Sequence, residues 1–176
     1  EALALAEKLG MEKTVSGATV IINCATTMKA FGEAEKALPL YEKARAVYES
    51  SLESDDFLLA AFYNNFALSL ADVGRTAEAE EMFFLAIGTL KKCGGHEGEI
   101  AVSYVNLAQL YYSCGENEKI PAALESGWEY LSAETLPHDG NYAFVCSKCA
   151  PAYRDFGQNE RADILFARSK EIYEGN

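Results

Sequence analysis

Apolar and small residues recur at helical spacing along the chain, each time ahead of a glycine. Before Gly74 they stand eleven, eight, seven and four places earlier, at Tyr63, Phe66, Ala67 and Leu70. Steps of three, one and three place such side chains on one face of an α-helix. The same offsets before three other glycines give Ile21, Cys24, Ala25 and Met28; Tyr104, Leu107, Ala108 and Tyr111; and Cys146, Cys149, Ala150 and Tyr153. The pattern predicts four amphipathic helices in equivalent register.

A second helical pattern follows the glycine. Five, nine and twelve places after Gly74 stand Ala79, Phe83 and Ala86. Glycine readily adopts the left-handed conformation that ends a helix, so each unit is predicted to be a helix–turn–helix hairpin. The candidate N-caps of the second helices, two places after their glycines, are Thr76, Asn117 and Asn159.

The repeated glycines are evenly spaced. Gly32, Gly74, Gly115 and Gly157 follow one another at intervals of 42, 41 and 42 residues, which is typical of a stacked array of hairpins. Small residues allow two helices to approach closely, so alanines such as Ala67 and Ala79 are expected where the helices of a hairpin cross. We predict a single domain over residues 1–176, with repeats at about 17–55, 56–97, 98–138 and 139–176.

Two stretches, "FYNNFALSLADVGRTAEAEEMFFLA" and "AEKALPLYEKA", resemble the tetratricopeptide repeat (TPR). That repeat has an aromatic residue, Leu, a small residue and Tyr in its first helix, and Ala and Phe in its second. The interval here is about eight residues longer than the usual 34, which is similar to the long repeats of kinesin light chains and bacterial TPR proteins. The resemblance covers roughly residues 17 to 174. It implies an all-α fold, a right-handed α–α superhelix (solenoid) of four hairpins whose first helices line a concave face.

The third and fourth repeats depart from the pattern. Gly127 stands where an alanine is expected, and Pro151 lies inside a first helix, where it is expected to cause a kink. Pro39 and Pro121 are expected near the starts of second helices, where proline is tolerated.

The first residues form a partial repeat. "ALALAEKLG" parallels "AIGTLKKCG", which closes the second repeat. Residues 1–16 are therefore predicted to be the end of a preceding repeat, with "ALALAEKLG" as the end of its second helix and the native protein extending upstream. A helix that caps the array is the alternative.

The net charge argues against two classes of partner, and the cysteine content indicates a cellular location. The chain has 27 acidic and 15 basic residues, a net charge of −12, which disfavours direct binding of nucleic acid or of an anionic membrane. The sequence has no apolar run approaching the roughly 18 residues that span a bilayer, and its first residues do not resemble a secretion signal. Five cysteines without a framework spacing favour free thiols in a reducing compartment, so a cytoplasmic location is expected.

The sequence offers little for catalysis. His96 and His138 lie in loops and have no partners at a convincing metal or triad spacing. Cys146 and Cys149 have the spacing of a metal or redox motif, but both fall on the buried stripe and no second pair follows. We expect buried structural thiols, no catalytic residue, no metal and no cofactor.

The resemblance places a peptide-binding groove on the first helices, at residues thirteen, ten, nine, six and three places before each glycine. Asparagine and glutamine offer a donor and an acceptor to a peptide backbone, and exposed apolar residues bury ligand side chains. The alternatives are that neighbouring helices cover these apolar residues and that the amides bond to neighbouring elements. The candidate residues are Ile22, Asn23, Asn64, Asn65, Leu68, Val102, Val105, Asn106, Gln109, Tyr112, Phe144 and Arg154.

The resemblance also excludes one known kind of ligand. Some TPR proteins bind acidic C-terminal tails of chaperones through Lys and Asn at the positions that Ile22 and Thr26 occupy in the first repeat. This sequence therefore predicts no binding of such tails.

Three functions remain open from the sequence. The first is a non-catalytic scaffold that binds a protein or peptide. The second is a peptide-sensing regulatory domain with an upstream effector, such as a DNA-binding domain. The third is a helical appendage of an enzyme whose catalytic domain lies elsewhere. Self-association of the chain is compatible with each of these three functions.

Overall fold

The computed structural model describes residues 3, 5, 8–133 and 136–175. Residues 8–133 and 136–175 contain eight α-helices, two short 3-10 helices and no strand. The 3-10 helices are Met11–Lys13 and Asn117–Lys119. The α-helices are α1 (Val15–Ala30), α2 (Ala34–Ser51), α3 (Phe57–Asp72), α4 (Thr76–Cys93), α5 (Glu97–Cys114), α6 (Ile120–Leu131), α7 (Gly140–Asp155) and α8 (Asn159–Glu174).

The helices pack as consecutive pairs, α1 with α2, α3 with α4, α5 with α6 and α7 with α8. Two side-chain hydrogen bonds show the antiparallel order in the first pair. Thr19 Oγ1 lies 2.7 Å from Tyr48 Oη, and Thr26 Oγ1 lies 2.9 Å from Tyr41 Oη. The predicted all-α fold of helical hairpins is confirmed.

Each hairpin turns at the predicted glycine. Gly74 has a φ of 76°, and the amide of Arg75 donates to the Leu70 carbonyl at 2.9 Å. The Gly74 amide donates to the Ala71 carbonyl at 3.0 Å, so the pair of bonds forms a Schellman motif. The other three predicted glycines also have a positive φ, between 77° and 81°: Gly32, Gly115 and Gly157.

Side-chain caps occur on first helices rather than on second ones. Thr14, Asp56 and Asp139 each accept a bond from an amide in the first turn of α1, α3 and α7. The predicted caps Thr76 and Asn159 are instead the first residues of α4 and α8. Asn117 likewise begins a 3-10 helix. The cap predictions are wrong by one residue because the turn after each glycine is shorter than expected.

Residues 1–93 form one compact unit, here unit 1, with its core around α3. In this unit α3 packs against α2 and α4 and also touches α1. Phe62 and Phe66 of α3 pack on the rings of Tyr41 and Tyr48 of α2, with centroid distances between 5.3 and 6.2 Å. Ala67 and Ala79, predicted at the crossing of α3 and α4, are fully buried.

Residues 94–176 form a second compact unit, here unit 2, in which α5 packs against both α6 and α7. A Cβ on Gly98 of α5 would lie 3.0 Å from Val145 Cγ2 of α7. A Cβ on Gly127 of α6 would lie 3.1 Å from Tyr153 Oη of α7. Glycine therefore permits the close packing of this unit. The single domain expected for residues 1–176 stays a prediction.

The three prolines that lie in helices occupy different positions within them. Pro121 lies in the first turn of α6, as predicted. Pro39 is not near the start of its helix: it is the sixth residue of α2 and is exposed. Pro151 lies inside α7, which continues through it to Asp155, and its ring is also exposed. Each of these two prolines removes one backbone donor from its helix, and the kink expected at Pro151 stays a prediction.

Within the predicted partial-repeat segment of residues 1–16, residues 1, 2, 4, 6 and 7 lie outside the described residues. In the described part, residues 9 and 10 form a turn, Met11–Lys13 is a 3-10 helix and α1 begins at Val15. Among the helices in the described part of the chain, none is both long and apolar enough to cross a bilayer.

Candidate functional site

The predicted groove residues divide into three groups by exposure. Asn64, Asn65, Leu68 and Val102 are half-buried. Those that are exposed are Asn23, Gln109, Tyr112, Phe144 and Arg154. Those that are buried are Ile22, Val105 and Asn106.

Ile22, Val105 and Asn106, which were expected on the open face of the first helices, are buried in this structure. Ile22 and Val105 lie in the apolar core, and Asn106 is nearly as well buried. On α5, the helix α7 packs closely, as the short distance between Gly98 and Val145 shows. Helical periodicity alone does not predict that a second helix lies beside this face. In this structure their side chains contribute to packing.

The outward stripe of α7 is the most regular candidate surface. Phe144, Lys148, Pro151 and Arg154 recur at steps of four, three and three and are all exposed. Between Tyr142 and Tyr153 most other residues of α7 are buried, so this stripe is the main solvent-exposed part of the middle of the helix. It begins with a large apolar side chain and ends with a guanidinium group.

The α5 helix adds a polar and an aromatic side chain beside that stripe. Gln109 and Tyr112 are exposed, although α5 is buried over most of its length. Tyr112 packs edge-on against Phe156, which follows α7, with ring centroids 5.7 Å apart. Gly98 lies near Val145 at one end of the two helices, and Tyr112 contacts Phe156 at the other end. Because both contacts occur in the same order along the sequence, α5 and α7 run parallel.

Phe156, which contacts Tyr112, was not among the residues that the sequence pattern placed near this surface. It stands directly before Gly157, at the place that Phe31 holds before Gly32. The available indication was a large apolar residue next to a turn glycine, a position at which Phe31 is exposed and Phe156 half-buried.

Arg154 is held by its own hairpin. Its guanidinium pairs with Asp163 of α8 and lies over the ring of Phe166, 4.8 Å from the centroid. An arginine fixed between a carboxylate and an aromatic face is oriented at little further entropic cost. It is therefore a positioned cation at the end of the α7 stripe.

The corresponding surface of unit 1 is more polar. Asn23 is exposed on α1, while Asn65 and Leu68 are half-buried on α3. Lys29 of α1 forms an ion pair with Asp72 of α3 at 3.2 Å, which ties the ends of these two first helices together. The predicted positions Thr19 and Thr26 bond to tyrosines of α2 and so serve the hairpin.

The cysteine pair is part of the core of unit 2. Cys146 and Cys149 are fully buried, as the sequence predicted. Burial raises the pKa of the Cys149 thiol to about 12 and also raises the pKa of Cys146. A thiol that stays protonated is a poor nucleophile and a poor metal ligand.

No protein-family model matches the chain, and no curated protein matches it by sequence. Solved structures do match. The TPR-like repeats of a kinesin light chain from Podosopora anserina superpose with a TM-score of 0.69 at 20% identity, covering 97% of this chain and 82% of that one. BtubC from P. vanneervenii gives a TM-score of 0.62 at 20% identity, with 90% of this chain and 63% of that chain covered. MamA gives 0.51 at 18% identity, with 90% and 79% covered.

These similarities establish the fold. The chain has the TPR-like helical-repeat architecture that the sequence motifs indicated, with long repeats similar to those of kinesin light chains. At 20% sequence identity or less, the similarity to these structures does not identify a ligand or a partner of this chain.

Proposed function

We propose that the chain, which has the fold of TPR-like repeat proteins, is a non-catalytic scaffold that binds an extended peptide along the first helices of unit 2. The surface, here the α5–α7 face, consists of Gln109 and Tyr112 on α5 and of Phe144, Lys148, Pro151 and Arg154 on α7.

The observation that carries this proposal is the exposure of Tyr112 and Phe144. Solvated stripes of helices usually carry charged residues, so two large aromatic side chains on adjoining helices favour a binding role. Aromatic residues are frequent anchors in protein interfaces because they bury a large area at a small entropic cost.

The spacing of the two aromatic residues fits an extended ligand. Relative to their glycines, Phe144 stands thirteen places earlier and Tyr112 three places earlier, a difference of ten residues along parallel helices. Ten helical residues span about 15 Å, which an extended peptide covers with about five residues. We therefore propose a ligand with two apolar side chains four or five residues apart.

The groups between these anchors are polar. Gln109 can donate to and accept from a peptide backbone, and Lys148 supplies a positive charge on a chain that is acidic overall. An acidic side chain between the two apolar ones is favoured by this arrangement. Asn23, Asn65 and Leu68 are proposed as a separate, more polar binding surface of unit 1.

A selection from a random library of twelve-residue peptides tests the proposal. Selection is made on the wild-type chain, and the enriched peptides are titrated against Phe144→Glu, Tyr112→Glu and the control Phe84→Glu. Phe84 is an exposed aromatic residue on α4 and lies outside the α5–α7 face. We expect losses of about tenfold or more in affinity for the first two variants and little change for the control. Enriched peptides that bind all three variants as well as the wild type would refute the proposal.

A further inference from the structure

The guanidinium group of Arg168 on α8 is held in place by two neutral oxygen atoms. Its Nη1 donates to the Leu131 carbonyl at 3.0 Å and to the hydroxyl of Tyr142 at 2.7 Å. The Tyr142 hydroxyl in turn donates to the same carbonyl at 2.8 Å. Leu131 ends α6 and Tyr142 lies in the first turn of α7, so the guanidinium group is turned towards the preceding hairpin.

The partners of Arg168 differ from those of the other arginines in the described part of the chain. Arg45, Arg75, Arg154 and Arg161 each form an ion pair with a carboxylate. Arg168 is half-buried, and its two hydrogen bonds go to uncharged oxygens through Nη1 alone. A cation that has lost part of its hydration is stabilised by an anion, and the edge formed by Nε and Nη2 matches the two oxygens of a carboxylate.

Arg168 lines a cavity of about 320 Å³ in unit 2. The other lining residues are His138, Glu171, Ile172 and Gly175. The ring of His138 stacks on that of Tyr142, with centroids 5.1 Å apart, so the tyrosine that bonds to Arg168 also positions the histidine. The volume lies at the lower end of the range for ligand sites, about 300–1,000 Å³, and therefore suits a small molecule.

The cavity also has a negative side. Glu171 follows Arg168 by three residues, a spacing that places two side chains next to each other on one face of a helix. The helix ends at Glu174, and Gly175 beyond it has a left-handed φ of 73°. The last carbonyls of a helix lack intrahelical partners and form the negative end of its dipole. A positive group of a ligand is therefore favoured beside the place where Arg168 would hold a carboxylate.

We propose that this cavity binds a free α-amino acid with an apolar side chain. The carboxylate of the ligand accepts two hydrogen bonds from Nε and Nη2 of Arg168. Its ammonium group lies against Glu171 and the end of α8, and its side chain packs on Ile172, which is half-buried. The two charges of an α-amino acid are separated by a single carbon atom, so neighbouring positions of opposite charge on one helix face suit it. This site is separate from the α5–α7 face.

L-Leucine is the probe, and two derivatives that each lack one charge are its controls. N-acetyl-L-leucine has no ammonium group, and L-leucinamide has no carboxylate. Binding to the ¹⁵N-labelled full chain is measured by nuclear magnetic resonance titration. We expect a Kd for leucine below about 1 mM and binding of each derivative about tenfold weaker, because each leaves one charged group of the cavity without its partner. Absence of leucine binding up to about 20 mM, or equal binding of the three compounds, would overturn the proposal.

Substitutions in the protein assign the two charges. Glu171→Gln should lower the preference for leucine over N-acetyl-L-leucine from about tenfold to near unity, and Arg168→Gln should do the same for the preference over L-leucinamide. Lys170→Gln is the matched control, since it removes one charge from an exposed side chain of α8 outside the cavity, and it should leave both preferences unchanged.

Arg168 also links α8 to Tyr142, so circular dichroism of each variant verifies its helix content. If Arg168→Gln loses helix content, Glu171→Gln and the two derivatives still test the site. Preferences that Glu171→Gln leaves at their wild-type values would overturn the proposal. Phe144→Glu should not alter leucine binding, so failure of the amino acid site and failure of the peptide surface on α5 and α7 are distinguishable.

Discussion

The hydroxyl of Tyr153 lies so close to Gly127 that a Cβ there would be 3.1 Å from the Tyr153 oxygen. That hydroxyl donates to the Leu124 carbonyl, one turn earlier on the same helix, at 2.8 Å. The third repeat therefore has glycine in place of the expected alanine because a tyrosine of the fourth hairpin occupies the space. The departure from the repeat pattern is a packing feature of unit 2.

This contact predicts a large effect of a side chain at position 127. Gly127→Leu should lower the free energy of unfolding by about 1–3 kcal/mol, since the added atoms would meet Tyr153, Tyr104 and the Ala101 carbonyl. Urea denaturation followed by circular dichroism measures the change. Gly127→Ala and Gly88→Ala on α4 are the matched pair: the Cβ at position 88 meets nothing within 4 Å, so Gly88→Ala should raise stability by about 0.5–1 kcal/mol, a gain that the contact with Tyr153 should remove at position 127. Equal effects at the two positions would contradict the packing assigned to Gly127.

A second prediction separates core from surface on the first helices. Val105→Glu should destabilise unit 2 by several kcal/mol, because Val105 is buried and a carboxylate there lacks a partner. Phe144→Glu should change the free energy of unfolding by about 0.5 kcal/mol or less, because Phe144 is exposed. Thermal melting of both variants tests this. If Val105→Glu melts like the wild type, Val105 belongs to the surface and the α5–α7 packing is wrong.

The thiols should differ widely in reactivity. Cys114 is exposed, whereas Cys146 and Cys149 are fully buried. Titration of the native protein with Ellman's reagent at neutral pH should modify Cys114 rapidly and Cys146 and Cys149 only after unfolding. Cys114→Ser should remove the fast phase. Rapid modification of both Cys146 and Cys149 in the native state would instead indicate an accessible dithiol.

The buried thiol of Cys149 also predicts a loss of stability at alkaline pH. Its pKa is about 12 in the folded chain, mainly because of desolvation, against about 8.5 for an exposed cysteine. Between these values the unfolded state has released the proton and the folded state has not, so unfolding becomes easier as pH rises.

This thiol contributes a slope of up to about 1.4 kcal/mol per pH unit in that range. Urea midpoints measured under reducing conditions from pH 8 to 11 should therefore fall more steeply for the wild type than for Cys149→Ala. Parallel pH profiles would show that Cys149 is not desolvated in the folded chain.

The hairpins could be predicted from sequence because their determinants are local. Gly74 lies at a left-handed turn, and Ala67 and Ala79 lie where α3 and α4 cross closely. The turn and the crossing could each be predicted from helical periodicity and from the size of the side chains. Kinesin light chain repeats superpose on nearly the whole chain, in agreement with the motif.

The binding surface could be predicted only in part, because burial on a first helix depends on the next hairpin. Val105 and Tyr112 occupy comparable places in the repeat pattern, yet one is buried and the other exposed. Burial on α5 depends on its packing with α7, as at Gly98 and Val145, residues 47 positions apart in sequence. Helical periodicity carries no information about such a contact.

The proposed peptide surface is tested most directly by nuclear magnetic resonance of the ¹⁵N-labelled chain titrated with a peptide selected from the library. We predict that the amide shifts that change will cluster at Gln109, Tyr112, Phe144 and Lys148 and spare Phe84 and Phe166. Shifts confined to second helices, or to α8, would contradict the assignment of peptide binding to α5 and α7.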